Sequence, residues 1–90
     1  MAENMKLKII KPFDGRAAVK DPERIGEIVR QLRKEAKLTQ AEAASMCSVG
    51  TRFLSDLENG KASIQLGKAL QVLRAFGLLI ILKKKGLPHA

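Results

Sequence analysis

Apolar and polar positions follow two different periods along this chain. From residue 21 to residue 76, apolar side chains recur every three or four positions in four separate stretches, a spacing that predicts α-helices with one buried face. Residues 5–9 instead alternate between apolar and charged, and residues 78–82 are apolar at every position, which favours short strands. The sequence therefore predicts a mainly α-helical fold of four helices with a short C-terminal β-strand.

The first helix has a clear start signal. Asp21 is suited to the N-cap and Pro22 to the first helical position, and the helical spacing continues to residue 37. Its apolar stripe consists of Ile25, Ile28, Val29, Leu32 and Ala36. Its opposite face carries Glu27, Arg30, Lys34 and Glu35. We expect the stripe to be buried and the charged face to be solvated.

Residues 38–61, with the sequence LTQAEAASMCSVGTRFLSDLENGK, predict two short helices joined by a tight turn. Thr39 and Glu42 have the spacing of a capping box and begin the first of the two. Ser and Gly at 48–50 favour a turn over a helix interior, and a second helix follows over residues 51–58. Two short helices around such a turn form a helix-turn-helix.

The fourth helix is predicted over about residues 64–76, with Ser63 as its cap and Gly77 just after its end. Its buried face consists of Leu66, Ala69, Leu70, Val72, Leu73 and Phe76. This face would complete a small core together with the three preceding helices.

The C-terminal apolar run comprises Leu78, Leu79, Ile80, Ile81 and Leu82. An apolar strand with a free edge aggregates unless something pairs with it. We therefore expect it to pair with the same strand of a second copy across a two-fold axis. For residues 5–10 two alternatives stay open, an edge strand beside this one and an extended basic arm. The expected organisation is an N-terminal arm or short strand and link (1–20), a helix-turn-helix domain (21–77), a dimerisation strand (78–83) and a tail (84–90).

The charge of the chain indicates a polyanionic partner. With 17 Lys and Arg against 9 Asp and Glu in 90 residues, the formal net charge is +8, which suits nucleic acid better than a membrane surface. Aromatic residues make up only 3% of the chain, and proteins that stack single-stranded bases on aromatic side chains need more. We therefore expect double-stranded DNA as the ligand.

Composition also argues against several classes of protein. The single cysteine, Cys47, excludes an internal disulfide and a cysteine-based metal site, and we expect it to be a small buried helix residue. No catalytic set can be assembled around the one histidine, His89, so we expect no enzyme, no cofactor and no metal. The apolar runs are too short for a signal peptide or for a membrane span of about 18 residues, so we expect a cytoplasmic location.

Residues 38–61 resemble the DNA-binding core of phage-repressor-type (Xre-family) helix-turn-helix proteins, whose pattern is LTQxELA…VSxxxISxLExGK. Over about residues 25–82 the chain resembles the HipB-like antitoxins. The resemblance lies in the order of four helices followed by an apolar strand and in the sequence RFLSDLENGK…LGKALQVLRAFGL. This resemblance implies a homodimer joined through the C-terminal strand, repression of its own operon, and binding to a HipA-like serine/threonine kinase toxin, which some related systems split into two proteins. Two alternatives are a stand-alone repressor without a toxin partner and a kinase-binding module for which DNA is secondary.

The resemblance also assigns roles to individual residues, with Gly50 as the cap of the helix that reads DNA. The residues expected to contact bases are Thr51, Arg52, Ser55 and Asp56. The residues expected to contact phosphates are Gln40, Asn59 and Lys61. A structural ion pair is expected between Arg33, in the first helix, and Glu58, at the end of the third.

Arg52 is the strongest candidate for base contact, because a guanidinium can fork onto the O6 and N7 acceptors of guanine. The alternative is an i, i+4 ion pair with Asp56, and the two are compatible because the pair would orient Arg52 before contact. Asp56 departs from the family pattern, since a carboxylate repels phosphate unless it accepts from cytosine N4. Phe53 also departs from it, and we expect Phe53 to pack against the preceding helix rather than touch a thymine methyl group.

Overall fold

The structure, a computed structural model, describes residues 11–86 of the chain. The helices within this range are α1 (Pro22–Glu35), α2 (Gln40–Cys47), α3 (Thr51–Glu58) and α4 (Leu66–Ala75). α3 packs against both α1 and α2, and α4 packs against α2. The predicted mainly α-helical helix-turn-helix fold is confirmed. The N-terminal segment 5–10 and the last four residues lie outside the described part of the chain.

The first two helices begin where their capping residues predict. The side chain of Asp21 accepts a hydrogen bond of 3.0 Å from the backbone N–H of Arg24. At α2, the Thr39 hydroxyl accepts from the backbone N–H of Glu42 at 3.0 Å, and the Glu42 carboxylate accepts from the backbone N–H of Thr39 at 2.8 Å. Each cap satisfies N–H groups that have no partner inside the helix, so the residues next to each start specify it.

The start of α4 differs from the prediction. The helix begins at Leu66, its N-cap Gln65 makes no side-chain hydrogen bond, and Ser63 lies in a turn two residues earlier. Leu66 was expected to be buried, but 68% of its surface is exposed. The chain needs residues 61–65 to cross from the end of α3, and Ile64 contributes the apolar contact from this loop. The first turn of α4 is therefore left facing outward.

The core lies where the four helices meet. Its largest fully buried side chains are Val29, Leu54 and Val72, which come from α1, α3 and α4. Cys47, at the end of α2, is also buried, and this burial raises the pKa of its thiol. The other buried apolar members of this core are Ala43, Ala44, Leu57, Ala69 and Leu73. The expected small apolar role of Cys47 agrees with this position.

α1 and α3 cross at backbone contact. A Cβ atom added at Gly26 would lie 2.5 Å from the carbonyl oxygens of both Leu57 and Glu58. Real Cβ atoms do not approach backbone oxygens so closely, so only glycine permits this crossing. Gly60 ends α3 with a φ of +78° and lies against Glu23 at the start of α1. The end of α3 is thus held directly on the first half of α1.

The segment after α4 leaves the core. Gly77 has a φ of +78°, as expected of the residue that follows a helix end. Leu78 packs against the core, whereas Leu79, Ile81 and Leu82 are largely exposed, the last to 92%. Within the described chain, residues 78–84 belong to neither a helix nor a strand. Pairing between two copies involves a second chain, so the dimerisation strand stays a prediction.

Candidate nucleic-acid interface

α3 has one side fixed in the core and one side open. Leu54 and Leu57 are buried, as the i, i+3 spacing predicts. Thr51 and Arg52 are exposed, and Ser55 and Asp56 are half-buried. Since positions one turn apart share a face of a helix, the four residues expected to contact bases lie together on the side away from the core. An exposed helix of this kind, about 10–12 Å across, fits the DNA major groove.

Arg52 is the most accessible charged group on this face. Its side chain is 88% exposed, and its Nε lies 3.6 Å from Oδ1 of Asp56. The other carboxylate oxygen of Asp56 lies 3.6 Å from Nζ of Lys61. The guanidinium has five N–H groups, so this contact leaves several donors available for a base edge. The structure thus contains the i, i+4 ion pair that the sequence allowed for, and base contact by Arg52 stays a prediction.

A buried carboxylate anchors the end of α3. The Glu58 side chain is fully buried, and Nε of Arg33 lies 2.6 Å from its Oε2. Arg33 also donates from Nη2 to Oε1 at 3.1 Å and from Nη1 to the carbonyl of Leu38 at 2.8 Å. The structure therefore brings together Arg33 and Glu58, the ion pair that the family resemblance implied. Through Leu38, Arg33 also ties the connection between α1 and α2 to the end of α3.

Two further residues complete the surroundings of this carboxylate. Oε1 of Glu58 accepts from Nε2 of Gln40 at 3.1 Å and faces Nε of Arg30 at 3.4 Å. Desolvation by burial raises the pKa of the Glu58 carboxyl, but hydrogen bonds from Arg33, Gln40 and Arg30 and the charge of Arg33 outweigh it. Its pKa therefore lies below the usual value, and Glu58 is ionised at neutral pH.

Arg30 is the residue that sequence reasoning missed. It was assigned to a solvated face of α1, yet its Nη2 donates to Oδ1 of Asn59 at 3.1 Å in addition to its contact with Glu58. Because the oxygen of the Asn59 amide accepts from Arg30, the NH₂ group is the part of the amide suited to donate to another acceptor. A signal was present in the sequence, since Arg30 lies three residues before Arg33 and shares its side of the helix.

The residues expected to contact phosphates surround the open face of α3. Gln40 begins α2, Asn59 follows the end of α3, and Lys61 lies two residues further, with its side chain half exposed. Gln40 is half-buried and has one amide N–H on Glu58. Their positions at helix ends are suited to phosphate contact, which stays a prediction.

Phe53 is directed away from this face. It is half-buried and packs against the hydrophobic core, and Nζ of Lys68 lies 5.9 Å from the centre of its ring. This distance is within the range of a cation–π contact. Phe53 therefore packs on the core with Lys68 beside it, and its contact with the preceding helix stays a prediction.

Metal-binding clusters and membrane-spanning helices are both absent from the described residues. Residues 11–86 contain no group of three or more His, Cys, Asp or Glu side chains that could hold a metal ion. No helix in this part of the chain is both long and apolar enough to cross a membrane.

Comparisons with known proteins agree with the geometry of α2 and α3. A family model described as helix-turn-helix matches residues 29–80. The chain is 50% identical over 62 residues to an uncharacterized HTH-type transcriptional regulator, y4mF, of Sinorhizobium fredii (strain NBRC 101917 / NGR234), covering 69% of this chain and 82% of that protein.

Solved structures share the fold at lower identity. A chain of a HipB-O4 20mer complex superposes with a TM-score of 0.68 at 18% identity, covering 78% of this chain and 99% of that chain. A chain of a HipA-HipB-O2-O3 complex gives the same TM-score, identity and coverage. At this identity the likeness concerns the fold. From the family match and the 50% identical regulator, the chain belongs to the helix-turn-helix family of DNA-binding transcriptional regulators.

Proposed function

We propose that this regulator is a dimeric repressor that reads an operator with α3, controls its own promoter, and serves as the antitoxin of a HipA-like kinase. The observation that carries the DNA-reading part is the position of Arg52. Its guanidinium is exposed at the first turn of α3, while Leu54, Leu57 and Glu58 fix the other side of the same helix. A rigid helix with a free guanidinium at its start is suited to base readout in the major groove.

The flanking charges support this orientation. Asn59 and Lys61 follow the end of α3, Gln40 begins α2, and Lys68 lies beside Phe53. Phosphate contacts from such positions set the register of a helix on DNA, whereas base contacts set the sequence preference. The net charge of +8 supplies the general attraction to the duplex.

The proposed homodimer is supported by the apolar surface after α4. Residues 79–82 expose four large apolar side chains in a row. Ile80 lines a groove of about 280 Å³ together with Ile25, Leu66 and Leu70. An exposed apolar surface of this extent marks an interaction site, and a second copy supplies both an edge and a cover for residues 78–83. In this proposal residues 21–77 form the DNA-binding domain.

The antitoxin role is supported by the fold likeness to HipB, which forms a complex with HipA in one of the solved structures. The partner would be a HipA-like serine/threonine kinase, either as one chain or as two. Two alternatives predict different behaviour. A stand-alone repressor binds DNA and no kinase, and a kinase-binding module binds the kinase with DNA secondary.

DNA binding is tested by gel shift with the promoter of the chain's own gene and with a random duplex, across a range of salt concentrations. Preference for the promoter, with an affinity that falls steeply with salt, is the expected result. A flat salt response, or equal affinity for both duplexes, would contradict the DNA-reading proposal.

The antitoxin role is tested by co-expressing the chain with a HipA-like kinase encoded beside it. Co-purification of the two proteins and loss of kinase activity are expected. Promoter binding in the absence of any neighbouring kinase gene would favour the stand-alone repressor. Kinase inhibition without preference for the promoter would favour the kinase-binding module.

A further inference from the structure

Asp56 lies between two cations, Arg52 on the open face of α3 and Lys61 just after the end of α3. Its Oδ1 is 3.6 Å from Nε of Arg52, and its Oδ2 is 3.6 Å from Nζ of Lys61. The exposed fractions of the side chains are 88% for Arg52, 51% for Lys61 and 27% for Asp56. One carboxylate therefore faces two cations that are both expected to contact DNA.

Asp56 is also the one acidic side chain on the open face of α3. The other acid of this helix, Glu58, is buried and is engaged by Arg33 and Arg30. Arg52, Lys61 and Asp56 together carry a net charge of +1, and without the carboxylate they would carry +2. This group of three side chains thus has half the charge that its two cations alone would give it.

The two ion pairs have little effect on the fold. Exposed pairs at such distances contribute weakly to stability, because water and salt screen them. The Asp56 carboxylate has a larger effect on DNA binding, because DNA phosphates would come within about 10 Å of it. This distance is the electrostatic screening length in about 0.1 M salt. When Arg52 or Lys61 moves to a phosphate, Asp56 is left facing a polyanion.

Only some DNA sequences relieve this repulsion. In the major groove, cytosine N4 and adenine N6 offer N–H donors to a carboxylate, whereas guanine and thymine present acceptors or a methyl group. A duplex without a donor at the right position therefore meets an uncompensated negative charge. Specificity is a difference between affinities, and a repulsive group acting against the wrong partner increases it.

We infer that Asp56 is a specificity-determining residue that restrains binding to random DNA by keeping Arg52 and Lys61 paired. This inference rests on the proposed function of operator binding. It assigns to Asp56 a second role beside base contact, namely repulsion of sequences that offer its carboxylate no N–H donor. The carboxylate mainly weakens binding to DNA sequences other than the operator.

The test compares Asp56→Asn with a matched control, Asp14→Asn. Asp14 is an exposed acid in the segment before α1, so both variants change the net charge by the same amount. Two duplexes of equal length serve as probes, one selected from a random pool by the wild-type protein and one with its sequence shuffled. Dissociation constants are measured across salt concentrations, and thermal melting checks that each variant is folded.

For Asp56→Asn, we expect affinity for the shuffled duplex to rise about threefold or more, and the slope of log K against log salt to steepen by about 0.9 for each Asp56 at the interface. The ratio of affinities for the selected and shuffled duplexes falls. Asp14→Asn leaves this ratio unchanged.

Other outcomes overturn the inference in distinct ways. If Asp56→Asn weakens binding to the selected duplex and leaves binding to the shuffled duplex unchanged, Asp56 acts only as a base contact and does not restrain binding to random DNA. If both variants raise both affinities equally, net charge alone is responsible. If the wild-type protein discriminates and Asp56→Asn keeps the same ratio, this inference fails while the proposed function holds. A wild-type protein that does not discriminate at all contradicts the proposed function and this inference with it.

Discussion

Arg33 and Glu58 form a buried ion pair in which Nε of the arginine lies 2.6 Å from Oε2 of the carboxylate. The arginine belongs to α1 and the carboxylate to the last residue of α3. A buried charge is costly unless it is paired and hydrogen-bonded, so each residue depends on the other. The pair therefore restrains the angle at which α3 leaves the core.

Replacing Glu58 with Gln removes the charge and keeps the shape. We expect Glu58→Gln to lower the free energy of unfolding by about 3–5 kcal/mol, because it leaves Arg33 buried without a counter-charge. Urea unfolding measures this change. The control is Glu35→Gln, since Glu35 accepts from Gln31 at the surface, and its effect should stay within about 0.5 kcal/mol. Equal effects of the two variants would show that the buried pair adds nothing to stability.

The same pair predicts how stability depends on pH. Burial raises the pKa of the Glu58 carboxyl, but its hydrogen bonds and the charge of Arg33 lower it further, so the folded value lies below the unfolded value of about 4.5. A depressed folded pKa contributes stability that is fully present above pH 4.5 and is lost as pH falls through the folded pKa. Unfolding of the wild-type protein and of Glu58→Gln should therefore differ at pH 7 and converge in acid. A constant difference down to pH 2 would contradict this assignment.

The crossing at Gly26 predicts an unusually strong effect of a single methyl group. A Cβ there would lie 2.5 Å from two backbone oxygens, which cannot move aside as a flexible side chain can. We expect Gly26→Ala to destabilise the protein by about 1–3 kcal/mol, measured as a lower urea midpoint. Gly67→Ala is the control, because a Cβ at Gly67 meets no atom within 4 Å. Since Gly67 lies in the first turn of α4 with a helical backbone, alanine there should stabilise the protein by about 0.4–1 kcal/mol by reducing the entropy of the unfolded chain.

The features that could be predicted from the sequence are those set by nearby residues. The caps at Asp21 and at Thr39 with Glu42 depend on hydrogen bonds within one helical turn, so the sequence specifies them directly. Gly26 and Arg30 take their roles from the crossing of α1 with α3, which periodicity within one helix does not contain. The exposure of Leu66 also follows from the path of the loop before α4.

In the candidate interface, too, features set by nearby residues could be predicted and contacts between helices could not. The side of α3 that carries Arg52 could be predicted, because Leu54 and Leu57 define the opposite side. The partners of its polar residues could not be predicted in full, because they depend on distances between helices. The hydrogen bonds of Gln40 to Glu58 and of Asn59 to Arg30 are of this kind.

Arg52→Ala and Lys61→Ala should weaken DNA binding in different ways. Loss of a forked contact to guanine costs about 1–3 kcal/mol and relaxes the preference at one base pair of each half-site. Loss of a phosphate contact weakens binding to all sequences and reduces the salt slope by about 1. Binding measured on single-base variants of a selected duplex separates the two. Equal loss on the selected and shuffled duplexes for Arg52→Ala would show that Arg52 contacts only phosphate.

The proposed dimer is tested best at Ile81. Ile80 is 52% exposed and lines a groove of its own chain, so a charge there would also disturb the monomer. Ile81 is 73% exposed, and Ile81→Lys should dissociate the dimer while leaving the helical circular dichroism intact. Sedimentation measures the association state. Val19→Lys places the same charge on another exposed apolar residue and should leave the dimer unchanged. A dimer of undiminished strength in Ile81→Lys would place the interface elsewhere.

The side chain of Gln71 links α4 to the end of α2, and this link bears on how the protein folds. Its Nε2, on α4, donates to the carbonyl of Cys47 at 2.8 Å and lies 3.3 Å from that of Ser48, at the left-handed turn that ends α2. These carbonyls lack partners within their own helix and are satisfied by a residue 24 positions along the chain from Cys47. A peptide limited to residues 38–61 would lack both this bond and the apolar cover of Val72 and Leu73. We therefore expect residues 38–61 to fold together with α4, in a single cooperative step.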